Sequence, residues 1–229
     1  MGELTLYFGT MEGGKTTKLL QDRYNYMKYG IKVFIMKPLV DNKGDNKIIN
    51  RQNDGVEVDF LISNDYDFLS KDFYKRIKEA SFILVDEAQF LTVKQAEQIW
   101  ALTRLYDKNI ICYGLKSKFN GHPFETTSEL YAKADQKHEL VINCGCGQPA
   151  MYNARKVNGK FVLEGDDVVI DGKQEETEYV PLCGDCFFEK VYAPYHKELN
   201  EDCDGQLTFE DIYKKTLIRK PWGKGKYSL

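Results

Sequence analysis

The chain has 229 residues, 42% of them hydrophobic and 29% charged, enough for one large domain with a real core or a medium domain with an appendage. This composition excludes a disordered chain. The longest apolar runs, such as residues 82–85, exclude a membrane-spanning helix, and a formal net charge of −3 gives no electrostatic support for binding a polyanion such as DNA. Residues 1–8 lack a basic stretch leading into an apolar one, so a cytoplasmic protein with no membrane partner is expected. In that reducing setting the six cysteines read as metal ligands or buried thiols, not as disulfides.

Along the chain, residues 4–8 predict a strand and residues 16–29 a helix. Leu20, Tyr24 and Met27 fall at i, i+4 and i+7, and Gly30 stands where a helix ends. Residues 32–36 predict a second strand, followed by a polar stretch over 41–55. Residues 56–61 predict another strand, residues 67–79 another helix and residues 82–85 a buried strand. Val93, Ala96, Ile99 and Trp100 mark one face of a further helix, and residues 110–113 return to strand. This alternation implies parallel βαβ units with helices on both faces of the sheet. Ligands of such sheets bind beyond the carboxyl ends of the strands.

Gly9, Thr10, Met11, Glu12, Gly13, Gly14, Lys15 and Thr16 fit the pattern G-x-x-x-x-G-K-[ST] between the first strand and the first helix. Glycines let the backbone curl so that consecutive N–H groups converge on phosphate oxygens. The helix that follows adds the partial positive charge of its N-terminus. Lys15 would reach the β- and γ-phosphates of a nucleoside triphosphate, and the Thr16 hydroxyl would ligate Mg²⁺. The loop reads as the ATP site.

Asp86 and Glu87 follow the buried strand 82–85, with Gln89 and Phe90 just beyond. Asp86 fits an aspartate that holds Mg²⁺ directly or through water. Glu87 would point into the same cleft and accept a proton. ATPases that activate water also carry such a pair, so it does not by itself choose between hydrolysis and transfer.

After residue 141 the helical periodicity ends and short β-prone pieces, 161–163 and 168–170, sit between turn residues. Cys144 and Cys146, then Cys183 and Cys186, form two close pairs separated by 36 residues. Four thiolates at such spacing suit a closed, structural, tetrahedral zinc site in a unit too small to hold itself together. A redox pair is the competing reading. Cys112 reads as a buried core thiol and Cys203 as an exposed, uninvolved one. The expected boundaries are 1–141 for the nucleotide-binding domain, 142–192 for the cysteine-tied unit and 193–229 for a charged tail. Within that tail Asn200, Asp202, Asp204, Thr208 and Asp211 fall at positions 1, 3, 5, 9 and 12 of an EF-hand-like loop, with Gly205 at position 6. A polar turn between two helices is the reading preferred there, with weak Ca²⁺ or Mg²⁺ binding as the alternative.

Taken together, these features over residues 4–188 resemble the cellular-type thymidine kinases, whose P-loop domain carries a zinc-stapled lasso. Met11 falls on the methionine of the family's cradle. Asp86, Glu87, Gln89 and Phe90 match its Asp-Glu-x-Gln-Phe segment, and Phe119 falls where an aromatic stacks on the base. Asn153, Ala154 and Arg155 look like the start of the lasso, and Tyr179 to Cys186 like its end. The resemblance implies an α/β fold: a P-loop (RecA-like), mostly parallel sheet with helices on both faces, plus a small zinc-stabilised β lasso domain. It implies transfer of the γ-phosphate of ATP to the 5′-hydroxyl of thymidine or deoxyuridine, with Glu87 as the general base. Asp86, Gln89 and the cradle residues would hold Mg²⁺ and ATP. Met11, Phe90, Phe119, Val168, Val169, Ile170, Asp171, Gly172 and Tyr179 would contact the nucleoside, the lasso closing over its base. A homotetramer follows by the same resemblance.

The chain also departs from the family. Glu12 stands for a usual phenylalanine and Gly13 for a usual serine. Asp41, Asn42 and Lys43 stand where the family often has Asp-x-Arg, and lysine lacks the bidentate fork of arginine. Asn143 occupies the usual position of the first cysteine, with Cys144 displaced by one. Ile170, Asp171 and Gly172 replace Ile-Gly-Gly. The alternatives are a kinase for another nucleoside, or a zinc-containing P-loop ATPase acting on nucleic acid. The acidic charge and Phe119 favour a small nucleoside and no nucleic-acid partner.

Overall fold

The computed structural model describes residues 1–39, 46–50, 55–165 and 176–194. In chain order its elements are β1 (Leu4–Gly9), α1 (Lys15–Lys28), β2 (Val33–Pro38), β3 (Lys47–Ile49), β4 (Gly55–Glu57), β5 (Phe60–Ile62), α2 (Lys71–Ile77) and β6 (Phe82–Val85). There follow α3 (Val93–Leu105), β7 (Asn109–Leu115), α4 (Glu125–Lys133), β8 (Gln136–Leu140), β9 (Tyr152–Val157), β10 (Lys160–Val162), β11 (Thr177–Leu182) and α5 (Gly184–Phe187). Lys43, Val168, Val169, Ile170, Asp171, Gly172, Cys203 and the EF-hand-like loop from Asn200 to Asp211 lie outside the described residues.

Six strands form one sheet in the order β5-β2-β6-β7-β1-β8, and every pairing in it is parallel. Strand alternation divides its side chains between two cores. Leu84, Ile111 and Tyr113 pack with Leu19 of α1 and Ile48 of β3 on one face. Ile83, Val85, Ile110 and Cys112 pack with Phe73, Ile77, Ala96, Ile99, Leu102 and Leu130 of α2, α3 and α4 on the other. Helices therefore cover both faces, as the alternation of elements implied.

Three local expectations are corrected. The buried stripe of α1 is Lys15, Leu19 and Asp22, while Tyr24 and Met27 are 64% and 50% exposed. Apolar spacing misses a buried aspartate, which is tolerated here because Tyr113 Oη donates to Asp22 Oδ2 at 2.7 Å and Lys18 pairs with the same carboxylate. Residues 56–61 form two strands in different sheets, β4 with β3 and β5 with β2. The break falls at Asp59, whose backbone N–H donates to Ile35 O while its carboxylate accepts from Ile35 N–H. The third concerns α3. Its inward face carries Ala96, Ile99 and Leu102 together with Gln95 and Gln98, while Val93 and Trp100 are partly exposed. Both glutamines bind the segment 63–68: Gln95 Nε2 donates to Ser63 O and Tyr66 O, and Gln98 accepts from Phe68 N–H.

A separate three-stranded antiparallel sheet, β10-β9-β11, has its own small core of Ala150, Ala154, Leu182, Phe187 and Val191 around Cys144, Cys183 and Cys186. Its ladder runs from Tyr152↔Leu182 to Val157↔Thr177. β9 reaches the carboxyl end of the large sheet, which places this unit beside the ligand crevice expected of such sheets.

Candidate active site

The loop between β1 and α1 curls where the residues allow it. A Cβ on Gly9 would lie 2.5 Å from Leu140 O, so only glycine fits between β1 and the end of β8. Gly14 has φ +74° at the start of α1, and Glu12 also adopts the left-handed region at φ 68°. Gly13 N–H donates to Thr10 O at 3.3 Å, closing the turn. Lys15 is buried, and its Nζ donates to Thr10 O at 2.7 Å, so the ammonium lies against the loop. Thr16 is half-buried one residue further on. Met11 N–H donates to Asn153 Oδ1 of β9 at 2.6 Å. The cradle is thus clasped from outside by the small sheet.

β6 ends in the acidic pair. Asp86 is buried, and its N–H extends the ladder to Met36 O at 3.0 Å. Glu87 has φ 48°, a conformation that costs a residue with a side chain about 1–2 kcal/mol. Such strain is characteristic of functional positions. Gln89 Nε2 donates to Glu87 Oε2 at 2.5 Å, and Gln89 Oε1 accepts from Leu115 N–H at 2.9 Å. The expected nucleotide contact Gln89 therefore spends its carboxamide on Glu87 and the end of β7. Gly114 permits this, since a Cβ there would press to 3.3 Å of both Gln89 N and Gln89 Oε1.

The aromatic residues lie on two connections, Phe90 just after β6 and Phe119 and Phe124 between β7 and α4. Phe90 meets Phe124 edge to face at 6.1 Å between centroids. Phe119 is buried, with the Arg155 guanidinium 3.6 Å from its ring centroid. Arg155 Nη2 donates to Glu164 O at 2.8 Å, and Tyr179 lies directly across the ladder from Arg155. One face of the expected base-stacking ring is thus covered by a cation–π contact. Phe124 and Arg155 were not expected at the site. Nothing local marks Phe124, and Arg155 reaches Phe119 only through the pairing of two distant segments.

The four cysteines converge. The Sγ atoms of Cys144, Cys146, Cys183 and Cys186 lie within 4.8 Å of one another, and all but Cys146 are buried. Tetrahedral thiolate coordination at about 2.3 Å sets sulfurs roughly 3.8 Å apart, so the cluster could hold a metal ion. The displacement of the first cysteine is absorbed by a turn in which Gly147 N–H donates to Cys144 O, while the exposed Asn143 bridges to Pro149. Burial pushes the Cys144 thiol up but is outweighed by hydrogen bonds from the backbone of Cys146 and Cys183 and from the neighbouring thiols, which bring it to about 6. Burial and the neighbouring thiols push Cys186 the other way. The Cys144 thiolate forms readily while Cys183 and Cys186 resist, which is the electrostatics of a cluster suited to a cation. Cys112 is the expected core thiol, pushed up to about 12 by complete burial.

Comparison with known proteins agrees with this geometry. A family model described as thymidine kinase matches residues 2–187. A thymidine kinase of Francisella tularensis subsp. holarctica is 33% identical over 199 residues, covering 84% of this chain and 100% of that protein. One of Shewanella oneidensis is 33% identical over 197 residues, with 84% and 100% covered. The chain belongs to the thymidine kinase family. Among solved structures, a Bacteroides Pif1 bound to single-stranded DNA superposes with a TM-score of 0.34 at 15% identity, covering 60% of this chain and 38% of that one. So loose a superposition carries no argument about activity.

For a thymidine kinase family member, the arrangement is chemically coherent. A glycine-rich loop, a buried aspartate, a held glutamate and an aromatic pair all follow the carboxyl ends of β1, β6 and β7. No helix among the described residues is long and apolar enough to cross a membrane.

Proposed function

We propose that the protein transfers the γ-phosphate of ATP to the 5′-hydroxyl of thymidine or deoxyuridine. The observation that supports the reading is the Glu87 carboxylate, held by Gln89 just after β6 and three residues before Phe90, whose ring meets Phe124. A hydrolase needs only to orient water, whereas a base followed so closely by an aromatic pair suits an alcohol borne on a flat heterocycle.

In this reading the cradle backbone and Lys15 hold the phosphates, and Glu87 takes the proton of the 5′-hydroxyl as its oxygen attacks the γ-phosphorus. The bond from that phosphorus to the β–γ bridging oxygen breaks, and ADP leaves. Catalysis of this kind is mainly alignment and charge neutralisation. Thr16 and Asp86 offer the hard oxygen donors that would hold Mg²⁺, which screens phosphate charge when bound. Met11, Phe90, Phe119 and Tyr179 would contact the nucleoside, and the segment containing Val168, Val169, Ile170, Asp171 and Gly172 would close over its base and exclude water. Zinc is the metal best matched to four thiolates, and it would staple the unit 142–192 to itself. A cytoplasmic homotetramer completes the reading and rests on family resemblance.

The test is incubation with labelled ATP, Mg²⁺ and a panel of nucleosides, with and without single-stranded DNA. Thymidine monophosphate is the expected product. Phosphate release stimulated by DNA, with no thymidine monophosphate formed, would overturn the reading.

A further inference from the structure

Asn153 joins three parts of the molecule. It sits on β9 of the small sheet and is 2% exposed. Its Oδ1 accepts from Met11 N–H of the cradle at 2.6 Å, and its Nδ2 donates to Ser117 O at 2.9 Å. The partners themselves fix the orientation of the carboxamide: a backbone N–H can only donate and a carbonyl can only accept. Both hydrogen bonds are buried or nearly so.

The position matters because the main-chain ladder stops here. β1 and β7 pair up to Gly9↔Leu115, and Lys116 N–H donates to Gly9 O at 3.1 Å. Just beyond the two strand ends, Thr10 Oγ1 and Ser117 Oγ are buried without a hydrogen-bond partner among the described residues. Beyond the ladder, the Asn153 carboxamide bridges the cradle to the loop that leads on to Phe119.

We propose that Asn153 is a positioning residue that couples the nucleotide cradle to the nucleoside side of the site. It acts through Met11 and Ser117. Displacement of one loop by its ligand is passed to the other because one rigid side chain holds both. The small sheet thereby sets the geometry of phosphate binding as well as covering the site. This inference rests on the kinase reading above.

The experiment measures the affinity of a non-hydrolysable ATP analogue with Mg²⁺, alone and with saturating thymidine, by calorimetry. The wild type is expected to show a change of at least about fivefold between the two conditions, the lower end of ordinary linkage. Asn153→Asp keeps an acceptor for Met11 N–H and loses the donor to Ser117 O. The introduced carboxylate beside the cradle also repels the phosphates, so affinity for the analogue alone should fall too, and the deciding readout is the loss of coupling between the two conditions. Asn153→Leu loses both bonds, so affinity for the analogue alone should also drop roughly three- to tenfold, the worth of one hydrogen bond. A merely structural role would lower the melting temperature of both variants without separating the two readouts. Folded variants that keep the full wild-type coupling would overturn the proposal, as would a wild type with none. Failure of the kinase reading looks different: the wild type itself would form no nucleoside monophosphate.

Discussion

Gln89 holds Glu87 by a hydrogen bond of 2.5 Å and is itself held by Leu115 N–H at 2.9 Å, so the glutamate that ends β6 is braced against the end of β7. The brace has a chemical consequence. The bond fixes one carboxylate oxygen and leaves the second to take a proton.

Glu87→Gln removes the proton acceptor while nearly preserving shape. A positioned general base contributes about 10²- to 10⁴-fold, so kcat should fall by that order with nucleotide affinity nearly unchanged. Single-turnover phosphorylation of thymidine, alongside titration with a non-hydrolysable ATP analogue, separates the two. Unchanged turnover would remove Glu87 from the chemistry.

Gln89→Glu tests the brace itself. The introduced carboxylate can still accept from Leu115 N–H, but it sets a second negative charge beside Glu87 and takes away a donor. Both effects unseat the Glu87 carboxylate from the position Gln89 gives it, so kcat should fall below that of the wild type. Unchanged single-turnover phosphorylation would contradict the role assigned to Gln89.

The legible parts of this site are those whose chemistry is local. Gly9 to Thr16 and Asp86 to Phe90 stand out because the phosphate cradle and the acidic strand end each need several residue types within a few positions. The four cysteines were legible for a related reason: few other side chains recur in close pairs. Partners far apart in sequence leave no such trace. Asn153 meets Met11 across 142 positions, and Arg155 covers Phe119 from another sheet. Asp22 reads as a surface residue until Tyr113, 91 positions away, is placed above it. Periodicity records apolar burial alone, so a helix that buries a satisfied carboxylate is assigned the wrong face.

That buried pair supplies a stability prediction. Tyr113 is fully buried, its hydroxyl donates to Asp22, and its ring stacks on Tyr7 at 5.4 Å. Tyr113→Phe keeps the stacking and removes the donor, leaving Asp22 to Lys18 alone among its described partners. Loss of a buried hydrogen bond to a charged group costs about 1.5–3 kcal/mol. Urea unfolding should show a lower midpoint with an unchanged slope. An unchanged midpoint would mean that water reaches Asp22.

The cysteine cluster predicts a pattern of thiol reactivity. As isolated, the protein should contain about one zinc per chain, and its four ligating thiols should resist alkylation. A strong chelator should lower the melting temperature and open Cys146 first, because Cys146 is the exposed member of the cluster. Cys112 should stay unmodified in the native protein under either condition, being fully buried with its thiol pushed up to about 12. Mass spectrometry of the alkylated peptides reads all of this. Equal labelling of Cys146 with and without chelator would argue against a bound metal.

Asp135 gives the last prediction, on pH. It precedes β8 and accepts from Leu4 N–H at 2.8 Å and from Arg104 Nη2 at 2.5 Å, fastening the starts of β1 and β8 to the end of α3. The Leu4 N–H holds its carboxyl below the usual carboxylate range against the opposing effect of burial, and the Arg104 guanidinium adds to the lowering. A depressed folded pKa means that the unfolded chain binds the proton more readily. The contribution is therefore complete at neutral pH, begins to fade as pH falls toward the ordinary aspartate value of about 3.9, and is lost below the folded pKa. Asp135→Asn should melt below the wild type at pH 7, and the two curves should converge as pH drops under about 4. The pair is largely solvent-exposed, so added salt should shrink the difference as well. A melting difference that stays constant from pH 7 to pH 3 would show that the carboxylate charge contributes nothing and that the Leu4 hydrogen bond alone is responsible.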